Sequence, residues 1–205
     1  MGMGTKIALG IVGVIVLIAL VFGFAVMGTY NSLVNLDQAT QAQWAQVENV
    51  YQRRADLVPN LVNTVKGAAN FEQSTLTAVT EARAKVGQVT QGAMQNIVND
   101  PQAFQRFEQA QAGLSSALSR LMVVVERYPE LKATQAFRDL QVQLEGTENR
   151  ISVERMRFNE AAQAFNTRRE SFPTVIIAGF FGNKFATKPY FKSQAGAEKA
   201  PEVKF

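Results

Sequence analysis

From Tyr30 onward apolar positions recur every three or four residues, at Trp44, Val47, Tyr51, Val58, Leu61, Val65 and Ala68. That spacing traces one face of an α-helix. Two residues on it do not suit an ordinary apolar stripe. Arg54 falls on the seam, and Pro59 enters the chain without shifting the phase. A proline inside a helix removes the hydrogen bond to the carbonyl four residues back, here Ala55, and costs about 3 kcal/mol. The unbroken phase predicts one helix through Pro59, with Arg54 or Asn60 placed to satisfy what the proline frees.

Past Gly67 the pattern allows two readings. Gly67 as terminator, Asn70 as N-cap and Gln73 three residues on predict a stop and a second helix over roughly 71–90, on Leu76, Val79, Ala82 and Val86. The alternative is one continuous helix to about Val89. Residues 87–98 read as a weakly patterned connection. Asp100 and Pro101 then give a clear N-cap and first-turn proline. Phe104, Phe107, Gln111, Leu114, Leu118, Leu121, Val125 and Tyr128 follow at helical spacing, and Pro129 turns the chain. The last stripe, Phe137, Leu140, Leu144, Glu148, Ile151, Arg155, Phe158, Ala162 and Phe165, predicts a helix starting at 131–134 and ending near 170. No strand signal of any length appears. Residues 30–170 are predicted to form an all-α, antiparallel up-and-down bundle of four helices, or a long three-helix variant.

Ahead of the bundle, residues 7–27 carry no charge. As a helix they reach about 31 Å, the thickness of a bilayer core. A cleaved signal peptide is the rival reading, since Gly23 and Ala25 could form a cleavage site. The apolar run is long for that, and the basic region before it holds only Lys6 and the amino terminus. The pattern therefore predicts an uncleaved signal anchor: a transmembrane helix over 7–27, preceded by residues 1–6. No Lys or Arg follows until Arg53, so the basic-residue bias puts the amino terminus in the cytoplasm and the bundle outside it.

The last helix brings the chain back to the bilayer near Arg169. Residues 171–192 are rich in Phe, Ile and Tyr yet broken by Gly, Pro and Lys. They are too polar to span and too apolar to leave in water. Either they fold back on the base of the bundle, or they lie in the membrane interface with Phe172, Ile176, Ile177, Phe180, Phe181, Lys184, Phe185, Lys188, Tyr190 and Phe191 against lipid. Residues 193–205 read as a flexible tail.

Composition narrows the chemistry. The chain has no cysteine and no histidine, which excludes disulfides, the usual zinc sites and Ser-His or Cys-His nucleophiles. A di-iron bundle site needs Glu-x-x-His pairs, which are absent. Glu145 and Glu148 lie on adjacent turns, but such pairs on a helix surface are mostly solvated. No catalytic residue, cofactor or metal site is expected. The formal charge of +4 comes entirely from residues 167–205, with seven basic and three acidic side chains. A neutral body without a nucleic-acid motif gives no reason to expect nucleic acid as a partner. The expected partners are the lipid bilayer, further copies of the chain and other envelope proteins.

Arg54, Glu148 and Arg155 remain, each on an apolar seam. Measured from Tyr30, Arg54 stands about 36 Å out, and Glu148 about 33 Å from Glu170 along the returning helix. The two can meet. A buried ion pair adds little net stability, but it penalises every register that leaves one charge unpaired. Arg54, Pro59, Asn60, Glu148 and Arg155 are thus expected to form a structural polar seam. The functional expectation is a scaffold or interaction module. The alternative is a sensory or ligand-binding module that uses the seam.

The blocks "YNSLV" (30–34), "QRRADLVPNLVNTVKG" (52–67), "TEARAKV" (80–86), "VERYPELKA" (125–133), "TENRISVERMRFNEAAQAFNT" (147–167) and the closing "KPYF" and "PEVKF" resemble the LemA family, in order and over nearly the whole chain. The resemblance implies a bacterial inner-membrane protein with a helical bundle on one amino-terminal anchor, and implies no particular activity. Two departures stand out. Phe158 occupies a position where the family often has Tyr, and "GFFGNKFATKPYF" is longer than the family's usual link.

Overall fold

The structure is a computed structural model that describes residues 2–67, 71–93 and 97–192. Its first element, α1 (Met3–Lys66), is one helix of 64 residues, so the apolar run and the first bundle helix are continuous. Along it Leu9 to Ala25 are exposed; burial begins at Val26 and is complete at Thr29. The exposed part is long and apolar enough to cross a membrane. Gly67 ends the helix, its N–H turned back on the carbonyls of Thr64 and Val65.

The chain then reverses. Helix α2 (Gln73–Ala93) returns along α1, α3 (Pro101–Val125) runs up again, and α5 (Gln135–Glu170) comes down. The short α4 (Pro129–Lys132) sits in the upper turn, and α6 (Thr174–Phe180) at the base. The bundle is therefore four-helical, and the continuous reading past Gly67 is set aside. The expected cap Asn70 and the tail 193–205 lie outside the described residues. Helix α2 runs on past its expected end near 90, as far as Ala93, with Gly87 in its interior. A mid-helix glycine costs about 1 kcal/mol, but Val86 is buried and Val89 packs on the core, which offsets it. The other ends follow their signals. The Asp100 carboxylate accepts the N–H of Gln102 and Ala103 at 2.9 and 3.1 Å. The Thr134 hydroxyl caps α5 by accepting the Phe137 N–H at 3.3 Å.

Pro59 lies inside α1, and its cost is met from outside the helix. The Ala55 carbonyl, deprived of its usual donor, accepts Nε of Arg83 on α2 at 2.9 Å. Neither Arg54 nor Asn60 serves it. Asn60 is exposed, and its own carbonyl accepts the Thr64 hydroxyl at 2.9 Å. A charge-assisted bond of this kind stabilises by about 1.5–3 kcal/mol. Pro59→Ala restores the helical donor and leaves Arg83 with a partner it no longer serves alone. Arg83→Ala should then cost about half as much in a Pro59→Ala background as in the natural chain, measured by denaturant melts. Equal costs in both backgrounds would show that Arg83 does not act through that carbonyl.

The core is layered. An upper apolar cluster joins Leu57, Leu61 and Val65 to Leu114, Leu121 and Phe137. A middle cluster of Trp44, Val47, Tyr51, Phe104, Phe107, Phe158 and Phe191 lies below it. A basal cluster holds Leu33, Phe165, Ala178 and Phe185. Between upper and middle clusters sits Arg54; between middle and basal sits Lys188. Both are among the largest fully buried side chains of the described residues. Packing is strongest between α1 and α5 and between α2 and α3, whereas α3 and α5 hardly meet along their length. The ring is open on that seam.

Candidate polar layers and groove

Arg54 is 1% exposed and its guanidinium is almost fully used. Nη1 donates to Glu148 Oε1 and to the Ser115 hydroxyl, both at 2.7 Å. Nη2 donates to the Gln111 side-chain and backbone oxygens at 2.5 and 3.2 Å. The Tyr51 ring lies under it, 5.0 Å from Cζ to the ring centroid. The structure thus brings Arg54 and Glu148 together across α1 and α5. It adds Gln111 and Ser115 of α3, which the pairing argument missed. Gln111 was visible as the one polar residue on the α3 stripe. Arg155 makes no bond to this layer: it lies 3.8 Å from Glu108, donates to the Lys192 carbonyl at 2.7 Å and covers the Phe191 ring at 4.7 Å.

Burial raises the Tyr51 phenol above its usual range, against the pull of the Arg155 and Arg54 charges. Glu48, on the same stretch of α1, is also raised by burial.

The second layer belongs to a segment that follows Gly182, whose φ of +55° suits glycine. The chain climbs from there along α5, antiparallel to it. Asn166 Nδ2 donates to the Lys188 carbonyl at 2.9 Å, and the Lys188 N–H donates to Asn166 Oδ1 at 2.8 Å. Asn159 makes the same pair of bonds to Phe191, both at 2.9 Å. Seven residues of helix rise about 10.5 Å, and three residues of extended chain advance about 10 Å. The two asparagines therefore match contacts three residues apart on an extended strap. Lys188 Nζ donates to the Asp37 carboxylate and the Asn99 side-chain oxygen, above the Phe165 ring.

These contacts divide the residues grouped as a lipid-facing set. Ile177, Phe185, Lys188 and Phe191 are buried: Ile177 on the inner side of α6, the other three where the strap packs beside Asp37 and Asn99. The Lys188 ammonium is held by a carboxylate and does not face lipid. Phe172, Ile176, Phe180, Phe181, Lys184 and Tyr190 remain exposed.

Beside the Arg54 layer the open α3–α5 seam forms a groove of about 1020 Å³. Small residues of α3 (Ala112, Ser115, Ser116, Ser119) line one wall; Gln141, Glu145, Glu148 and Asn149 of α5 line the other, and Leu118, Met122 and Leu144 supply apolar surface. A smaller cavity of about 240 Å³ adjoins its lower end, at Arg54, Arg155 and Lys192.

The LemA family model matches residues 43–205. The match takes in Arg54, Glu148 and Lys188 and leaves out Asp37 and the apolar amino-terminal segment. Magnetosome proteins MamQ 1 and MamQ 2 of Paramagnetospirillum magneticum (strain ATCC 700264 / AMB-1) are each 27% identical over 212 residues, 97% of this chain and 76% of theirs. Protein LemA of Metamycoplasma hominis is 22% identical over 158 residues, 77% of this chain and 67% of its own.

Proposed function

The chain belongs to the LemA family, and from that premise we propose that it is a non-catalytic scaffold or protein-interaction module, anchored by α1 in the inner membrane with the bundle outside the cytoplasm. The observation that carries this reading is the α3–α5 groove, an open apolar seam on a bundle built directly onto an apolar helix. Small residues on one wall let a helix approach closely, and Glu145 and Glu148 on the other favour a helix with basic residues beside its apolar stripe. The outer face of α5 in a second copy fits that description: Val142, Val153 and Met156 are exposed there, with Arg150 beside them. A contact between two different faces is heterologous and continues from copy to copy, which suits a scaffold.

A second reading, a small-ligand or sensory module, has its own support in the cavity at Arg54, Arg155 and Lys192, where three cations outnumber Glu108 and Glu148. One experiment weighs the two. The full chain, extracted in mild detergent, should run as an assembly of several copies by native mass measurement. Ser119→Cys in the groove wall should then react more slowly with a membrane-impermeant maleimide in the assembly than in dissociated chains. In spheroplasts the same thiol should be reached from outside. A monomer whose thiol reacts equally in both states contradicts the scaffold, and a monomer carrying one small molecule per chain favours the second reading.

A further inference from the structure

We propose that the outward face of α6 lies in the headgroup layer of the membrane that α1 crosses, giving the bundle a second lipid contact; this rests on α1 being a membrane span. Helix α6, "TVIIAGF", has no charged side chain, and its only polar one, Thr174, is buried. Thr174, Ile177 and Ala178, at helical spacing, form its buried side, and Ala178 belongs to the basal cluster. The other side is apolar as well. Phe172 and Phe180 are 80% and 81% exposed, and Val175 and Ile176 lie exposed between them. A surface helix in water carries polar residues on its outer face; one that is apolar all round has an apolar environment on both sides.

The position of α6 identifies that environment as lipid. Tyr30 stands three residues beyond Met27, where the uncharged run ends, and its ring lies 5.0 Å from Phe181 and 5.6 Å from Phe185. Burial along α1 starts at Val26, within the last turn of that run. The base of the bundle and the end of the span therefore coincide, and the exposed aromatics stand at that level. Basic groups flank them. Arg168 and Arg169 form the last turn of α5, and Lys184 donates to the Tyr30 hydroxyl while remaining exposed. Apolar rings below and cations beside them are the makeup of an interfacial helix, with headgroup phosphates as the cations' partners. Glu170, the last residue of α5 and exposed beside these cations, opposes that attraction, and the basic groups outnumber it. Two lipid contacts, α1 and α6, fix the tilt of the bundle, where α1 alone would leave it free to rotate.

The natural chain has no cysteine, so single thiols report without ambiguity. The full chain carrying nitroxide labels at Phe180→Cys or Ile176→Cys is placed in vesicles of phosphatidylcholine with a minority of phosphatidylglycerol. Leu17→Cys in the apolar run and Asn63→Cys, exposed on α1 far from the base, serve as references. All four sites are exposed, so the labels leave the core intact. Collision with oxygen relative to a soluble nickel chelate should set positions 176 and 180 on the lipid side of position 63 and shallower than position 17. If 176 and 180 match 63 while 17 stays lipid-like, the anchor stands and this proposal fails. Shielding of 176 and 180 from both reagents would mean that protein covers the face, which also overturns it. A water-exposed position 17 would remove the span and, with it, both readings.

Discussion

Arg54→Ala should destabilise the bundle by about 3–5 kcal/mol, the range for removing one member of a buried charged network. The two ends of the pair are unequal, and so are the expected costs. The Arg54 side chain is 1% exposed, the Glu148 side chain 46%. Removing Arg54 leaves a cavity between the upper and middle clusters and takes the guanidinium donor from the buried Gln111 side-chain oxygen. The freed Glu148 carboxylate hydrates at little cost. Glu148→Ala leaves the guanidinium its bonds to Ser115 and Gln111 and the Tyr51 ring, so its loss should be nearer 1–2 kcal/mol. The double variant should recover about 1 kcal/mol relative to the sum of the singles. Chemical denaturation of the four chains in detergent measures all of this. Strict additivity would mean that the pair is incidental and that Gln111 and Ser115 alone hold Arg54. Arg54→Met, which refills the volume without the charge, should be more stable than Arg54→Ala, because it leaves a smaller cavity.

Most of the scaffold was legible because helical periodicity is a local signal. The stripes on α3 and α5, the Asp100 cap and the uncharged run each lie within one element and need no knowledge of the rest. The Arg54–Glu148 contact was also legible, since two seam positions at equal heights on antiparallel helices must meet. What pattern could not supply was the third helix at each site. Gln111 and Ser115 look like tolerated polar residues until α3 is set beside Arg54. The partner of Ala55 was assigned within α1, whereas Arg83 comes from α2 across the turn at Gly67. The strap was the larger omission. Asn159 and Asn166 read as ordinary polar residues near a seam, because their significance lies in matching a helical rise to an extended one. Lys188, read by charge alone, belonged with lipid headgroups; the reason it does not is Asp37, more than a hundred residues earlier in the chain.

Phe191→Ala should cost about 3–4 kcal/mol, as expected for a buried aromatic side chain replaced by a methyl group. Its ring sits 4.7 Å from Phe104, 5.5 Å from Phe158 and 6.1 Å from Trp44, with Arg155 over its outer face. No neighbour can collapse into the space without leaving its own contacts. The loss should also be local in a way that a loss in the upper cluster is not. The strap is held by Asn159, Asn166, Lys188 and this ring, with Arg169 and Arg155 donating to its Phe185 and Lys192 carbonyls, so its polar contacts fall on α5, on Asp37 of α1 and on Asn99 just ahead of α3. With the ring gone, the Asn159 bonds lose the packing that excluded water from them. The amide protons of Lys188 and Phe191, both donated to asparagine, should exchange much faster, while those of α1 and α5 near Leu61 and Leu144 keep most of their protection. Asn159→Ala should show the same pattern with a smaller cost of about 1–2 kcal/mol. If Phe191→Ala lowers protection evenly over the whole bundle, the strap is part of the cooperative core. If the Phe191 amide stays protected in Phe191→Ala, the ring does not hold the strap, and its polar contacts with Asn159, Asn166, Arg155 and Arg169 account for its place along α5.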